Sequence, residues 1–201
     1  MAALCFGKMK KIISILPAIG ILIILGISYY NVKTDPDYKI VAVLNEAIAK
    51  GDLSTVREIV EKDKKFLTFD NIHALDEATF HCQAEIVDYL INKGADVNFK
   101  SGRHNSTALH VAACRCDNEK IIKLLIDQGA EINIGTDQSE TPLMCAAENG
   151  NLAVIQVLID KGANINAISG IYGTALDYAY EKKQIKAVKL LEKNGARRKS
   201  N

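Results

Sequence analysis

The sequence predicts an all-α solenoid of about five helix–turn–helix repeats with short hairpin fingers, preceded by one N-terminal transmembrane helix. Three observations predict it. Thr107, Thr141 and Thr174 recur at steps of 34 and 33 residues, and Gly94, Gly129, Gly162 and Gly195 at steps of 35, 33 and 33. Two stretches, TALHVAACRCDNEKIIKLLIDQGAEIN from Thr107 and TPLMCAAENGNLAVIQVLIDKGANIN from Thr141, repeat one pattern. A fixed period of that length marks a stacked-repeat architecture. Finally, Ile12–Tyr30 carries no charged residue across 19 positions.

Within one repeat each letter has a physical role. Thr107, Thr141 and Thr174 are placed to cap a helix, with the hydroxyl accepting from an otherwise unpaired backbone N–H. Pro142 stands at the first helical position, where a missing N–H costs nothing. Leu143, Ala146 and Ala147 share one face at i, i+3, i+4, and the small alanines admit a second helix closely. After Gly150 the second helix reads LAVIQVLID, with Leu152, Ile155, Leu158 and Ile159 as its expected apolar stripe. Gly162 ends it, where a left-handed backbone suits glycine. One such pair cannot bury its apolar face alone, so each repeat needs neighbours.

The letters T-A-L-H-V-A at Thr107 and T-P-L-M-C-A at Thr141 resemble the ankyrin signature T-P-L-H-x-A. The resemblance covers about residues 40–196. It is specific in the third and fourth repeats and weaker in the first two. It implies that His110, at the signature histidine, is structural and bonds backbone in the fingers. It also implies that a protein partner is bound on a concave side made of finger tips and the exposed ends of the first helices. Carried over by position, those residues are Phe80, His81, Cys114, Arg115, Glu148, Asn149, Glu181 and Lys182 on the helix ends. The fingers add Arg103, His104, Asp137, Gln138, Ile171 and Tyr172.

In chain order, residues 1–11 are short and basic (Lys8, Lys10, Lys11), and residues 12–30 form the apolar segment. Two readings stay open for it. Its length, and Tyr29 and Tyr30 at its end, suit an uncleaved signal anchor. A cleaved export signal would use Gly26-Ile27-Ser28, a mediocre site that would release the protein near Ser28. The flanking lysines place the N-terminus in the cytoplasm and the repeats periplasmic or extracellular. Residues 31–38 read as a polar linker around Pro36. The repeats are expected at 39–69 (degenerate), 70–103, 104–137, 138–170 and 171–201. In the first, Leu44, Ala47 and Gly51 match Leu143, Ala146 and Gly150. In the last, Lys182, Lys183, Lys186 and Lys189 replace the apolar outer face, as a C-terminal cap requires. Arg197–Lys199 read as a solvated tail.

The chain has 201 residues, with 25 Lys+Arg against 24 Asp+Glu and no tryptophan. That balance offers neither the basic face nor the stacking platforms of a nucleic-acid binder. No G-x-S-x-G, H-E-x-x-H, phosphate loop or paired CxxC is present, so no catalytic residue, cofactor or metal is assigned. A zinc site can be drawn from His81, Cys82, His110, Cys114 and Cys116, but their unpaired spacing weighs against it. A disulfide is the better use of these thiols in an oxidising compartment. Equivalent positions on stacked helices lie about 8–10 Å apart, beyond the roughly 7 Å Cα limit for bridging. The third repeat, however, has one extra residue between Ala113 and Ile121, whose bulge leaves Cys82 open to pairing with Cys114 or Cys116. Cys145 is expected to be buried.

The function this implies is non-catalytic binding of another protein outside the cytoplasm, in an adaptor, inhibitor or immunity-type role. Two alternatives remain: a cysteine-dependent redox or metal-binding envelope protein on the same scaffold, and a cytosolic adaptor tethered from the other side.

Overall fold

The computed structural model describes residues 36–69, 72–101 and 104–199. The segment 12–30 and Arg103 lie outside them. Among the described residues, no helix is long and apolar enough to cross a membrane. The chain divides into residues 1–43 and a compact unit, residues 44–201.

Ten α-helices are described. The first, α1 (Pro36–Lys50), runs across the division. It takes in the last three residues of the expected linker, because Pro36 suits the first helical position and Asp37 follows in the first turn. The compact unit continues with α2 (Leu53–Lys62), a 3₁₀ turn (Lys64–Leu67), and two-residue strands β1 (Thr68–Phe69) and β2 (Ile72–His73). Then come α3 (Ala74–Phe80) with α4 (Ala84–Asn92), and α5 (Ala108–Arg115) with α6 (Glu119–Asp127). The chain closes with α7 (Pro142–Asn149), α8 (Leu152–Asp160), α9 (Ala175–Glu181) and α10 (Ile185–Lys193). First helices stack as α3, α5, α7, α9, and second helices as α2, α4, α6, α8, α10.

Alanines set the close approach of the first helices: Ala78, Ala112, Ala113, Ala146, Ala147 and Ala179 are all fully buried. The second helices bury Ile86, Val87 and Leu90, then Ile121, Ile122 and Leu125, then Val154, Ile155 and Leu158. The stripe of α8 is therefore turned from the expected one: Val154 and Val157 are buried, while Leu152 and Ile159 are half-exposed.

The helix starts meet the expectation and add to it. Thr107, Thr141 and Thr174 each stand in a reciprocal capping box with the third helical residue, and Thr174 Oγ accepts from Asp177 N–H at 3.4 Å. The return bond runs from the threonine N–H to the third helical side chain. Thr107 N–H donates to His110 Nδ1 (3.2 Å) and Thr141 N–H to Met144 Sδ (3.3 Å).

Asparagine side chains tie successive repeats. Asn98 Oδ1 accepts from Glu131 N–H (2.8 Å), Asn133 Oδ1 from Asn164 N–H (2.7 Å) and Asn166 Oδ1 from Arg197 N–H (2.8 Å). Asn98 Nδ2 also donates to Gly129 O (3.0 Å), satisfying a carbonyl just past the end of α6. The fingers are hydrogen-bonded loops: β1 pairs antiparallel with β2, Ser101 with Ser106, and Ser169 N–H donates to Gly173 O at 2.8 Å. Finger joins finger through Asp137 N–H to His104 O (3.1 Å) and Gly170 N–H to Gln138 O (3.0 Å).

Candidate functional site

The hollow nearest the expected binding residues, of about 270 Å³, opens beside α3, α5 and α7. Phe80, His104, Val111, Cys114, Arg115 and Cys145 line it with Glu140 and His110. Phe80 at the end of α3 is 42% exposed, and the Arg115 guanidinium stacks on its ring at 3.7 Å. His81 meets the Phe80 ring edge-on at 5.2 Å and bonds Glu77 at 3.2 Å. Phe80, His104, Cys114 and Arg115 thus meet at one hollow, and His81 packs beside it.

A second group sits at the other end of the row. Tyr172 is 41% exposed, flanked by exposed Ile171, and its ring meets Tyr178 edge-on at 5.0 Å. Lys182 Nζ lies 5.6 Å from the Tyr172 centroid and pairs with Glu148 at 2.9 Å. The Glu148 carboxylate, expected to be available to a partner, is therefore engaged within the chain. So is that of Asp137, which accepts from Asn105 Nδ2 at 2.7 Å. Asn149 and Gln138 are exposed, though Asn149 Nδ2 donates to Cys145 O at 3.0 Å, capping α7.

His110 is buried with both ring nitrogens committed. Nδ1 accepts from Thr107 N–H, so the proton is on Nε2, which donates to Glu140 O at 2.9 Å. Burial holds its pKa below the usual value, so the ring stays neutral. With His110 used this way and Cys82 bonded to Cys116, three members of the zinc set drawn from sequence are unavailable. No group of three metal-ligating side chains converges among the described residues.

The disulfide links Cys82 to Cys116 with Cα atoms 5.6 Å apart, so Cys114 is not its partner. The spacing beats the helix-to-helix distance for a local reason. Cys82 takes a left-handed backbone (φ 56°) in the turn after α3, while Cys116 caps α5 in an extended conformation. The extra residue in that link lets Cys116 swing toward Cys82.

Several arrangements were missed in sequence. Cys114 and Cys145 are free, and the Cys145 thiol has Cys114 as a hydrogen-bond partner. Cys145 is the equivalent of Val111, one turn before Cys114, and that diagonal was legible in the repeat alignment. Tyr178 OH donates to Glu140 Oε1 at 2.7 Å and accepts from Ser169 Oγ at 2.9 Å. The tail at 197–199 is not simply solvated. Arg198 Nε donates to Asp177 Oδ1 and Lys199 N–H to Asp177 Oδ2, both at 2.8 Å.

The family profile of ankyrin repeats matches three overlapping stretches, residues 44–136, 100–169 and 135–201. The chain belongs to the ankyrin-repeat family. Ankyrin repeats generally mediate protein–protein interaction and are usually non-catalytic. Among similar proteins, Palmitoyltransferase AKR1 of Lachancea kluyveri is 33% identical over 111 residues, 53% of this chain and 15% of that protein. Ankyrin repeat and KH domain-containing protein mask-1 of Caenorhabditis elegans is 34% identical over 122 residues, 60% of this chain and 5% of that protein. BTB/POZ domain and ankyrin repeat-containing protein NBCL of Lotus japonicus is 33% identical over 101 residues, 50% of this chain and 20% of that protein. The chain spans a fifth or less of each of these relatives.

Proposed function

We propose that this ankyrin chain is a non-catalytic binding module for another protein, held at a membrane by residues 12–30 with its repeats outside the cytoplasm. The observation that carries the binding face is the Phe80–Arg115 stack at the rim of an apolar hollow, at the helix end where this family's partners dock. Aromatic and arginine side chains dominate interface energetics when a partner covers them. Exposed Tyr172 and Ile171 supply a second anchor of the same kind, with His104, Gln138 and Asn149 as polar surroundings; Arg103 joins the proposed face by its place in the sequence alone. The role that follows is adaptor, inhibitor or immunity protein. The likeness to a palmitoyltransferase covers 15% of that enzyme.

Crosslinking and pull-down from native membranes would supply the partner. Arg115→Ala and Tyr172→Ala should each weaken its binding by more than about 1 kcal/mol and leave thermal stability nearly unchanged. Gln156→Ala and Lys189→Ala, on second helices, should do little. Binding lost in the second pair and kept in the first would refute the face. For the anchor, an alkaline-phosphatase fusion at the C-terminus should be active, and replacing Lys8, Lys10 and Lys11 with glutamate should weaken or invert orientation. Soluble envelope protein beginning near Tyr29 would overturn the anchor.

A further inference from the structure

We propose that Cys114 and Cys145 form a redox-active thiol pair that exchanges with disulfides entering the hollow between α5 and α7. This is independent of which protein the repeats bind. Both thiols are free and line the same hollow, one on each of two stacked first helices. They differ in access: Cys114 is half-buried, whereas Cys145 is only 9% exposed. The next boundary back in the stack already carries a closed bridge, Cys82–Cys116, only two residues from Cys114. The same chain therefore holds one closed and one open pair at consecutive repeat boundaries.

The asymmetry assigns the order of events. Cys114, which solvent reaches, attacks one sulfur of an incoming disulfide as its thiolate, and the other half leaves as a thiolate. That gives a mixed disulfide on Cys114. Cys145 then loses its proton to solvent, attacks Cys114 Sγ and expels the second half. The net change oxidises two protein thiols to one disulfide and reduces one incoming disulfide to two thiols. The hydrogen bond to Cys114, burial, and the Glu140 and Glu148 carboxylates all push the Cys145 thiol well up. It therefore rests protonated beside Cys114 and acts second, once Cys114 carries the leaving group. A disulfide there would join the third repeat to the fourth.

The test uses the full chain in a Cys5→Ser background, with Cys82–Cys116 intact and glutathione disulfide as probe, read by non-reducing peptide mapping. Without further substitution it should form Cys114–Cys145 and release two glutathiones. Cys145→Ser should trap one glutathione on Cys114. Cys114→Ser should leave Cys145 at least about tenfold slower to react, as burial of the thiol implies. Equal reactivity of the two single variants, or glutathione ending on Cys82 or Cys116, would overturn the assignment. Because a variant can lose its fold, the chain with both thiols supplies a separate check. Its Cys114–Cys145 bond should form faster when folded than in urea, and an equal or slower rate refutes the pair.

Discussion

Removing the His110 side chain is the sharpest probe of how the repeats are coupled. The imidazole joins the start of α5 to the finger before α7, accepting from Thr107 N–H at 3.2 Å and meeting Glu140 O at 2.9 Å. His110→Ala would leave a buried N–H and a carbonyl unpaired together. Each such group costs about 1–3 kcal/mol, so a loss of roughly 3–5 kcal/mol is expected once lost packing is included. His110→Met should cost less, because Met144 Sδ already serves as the weak acceptor at the equivalent place. Urea unfolding followed by circular dichroism gives the difference. A loss below about 0.5 kcal/mol, the usual range for an exposed site, would refute the bridging role. pH supplies a second reading. Burial holds the folded pKa below the ordinary 6.5, so the unfolded chain binds the extra proton first. Stability from neutral His110 is present above about 6.5 and lost as pH falls. The deficit of His110→Ala should therefore narrow as pH falls toward about 5; a constant deficit would mean the ring is charged or exposed.

Leu158 is fully buried in α8, and Leu158→Ala should cost about 2–5 kcal/mol in the same urea experiment, with a cost near zero showing the register wrong. Cys82–Cys116 spans 34 residues, so Cys116→Ser should lower stability by about 4 kcal/mol on chain-entropy grounds, and equal stability with and without reductant would count against the bond. Asp76 has its carboxyl raised to about 6 by burial, with a bond from Ser101 pulling it down and Glu77 pushing it up. Its stabilisation is complete below about 3.8 and lost as pH rises through about 6, so Asp76→Asn should gain up to about 3 kcal/mol at neutral pH. Equal pH slopes in the two proteins would refute that.

The period placed most of the helices, because the Thr series marks where the last three first helices start and the Gly series where the last four second helices end. The face of α8 was harder to read. LAVIQVLID is apolar nearly all round, so the stripe from Leu152 and the stripe from Val154 fit the letters equally well. Only docking against α6, α7 and α10 selects Val154, Ile155 and Leu158. The disulfide was legible to the level of its three cysteines, and the final choice depended on backbone conformation. A left-handed Cys82 and an extended Cys116 are not written in either residue type. The exposed aromatics Phe80 and Tyr172 were readable as helix-end and finger residues, but the partner of Phe80, Arg115, comes from the next repeat along, and that of Tyr172, Lys182, from the far end of α9 in its own repeat. Arg197–Lys199 are exposed, as a solvated tail requires, but their docking was not legible in any linear pattern. Their docking depends on a carboxylate at Asp177 that stands where His110 stands two repeats earlier.

That third helical position shows how one fold rule is met by different chemistry. Asp76, His110, Met144 and Asp177 occupy it in the four successive first helices, and all but Asp76 accept from the backbone N–H of the capping threonine. What distinguishes them is the next repeat. Asp76 bonds Ser101 in the following finger, and His110 donates to the Glu140 carbonyl. Met144 has no polar reach, and there the link runs instead through Tyr178 to Glu140 Oε1 at 2.7 Å. At the last repeat Asp177 must hold a tail in place of a finger, and a carboxylate can accept from both Arg198 Nε and Lys199 N–H. Burial pushes its pKa up, but the bonds from Lys199, Thr174 and Arg198 outweigh that and hold it below the usual carboxylate range. An ionised acceptor makes stronger bonds than a neutral one. A histidine with its free nitrogen turned outward could only donate, and the Lys199 N–H would find no acceptor. The residue at this position thus follows from whether the neighbour presents a carbonyl or an N–H.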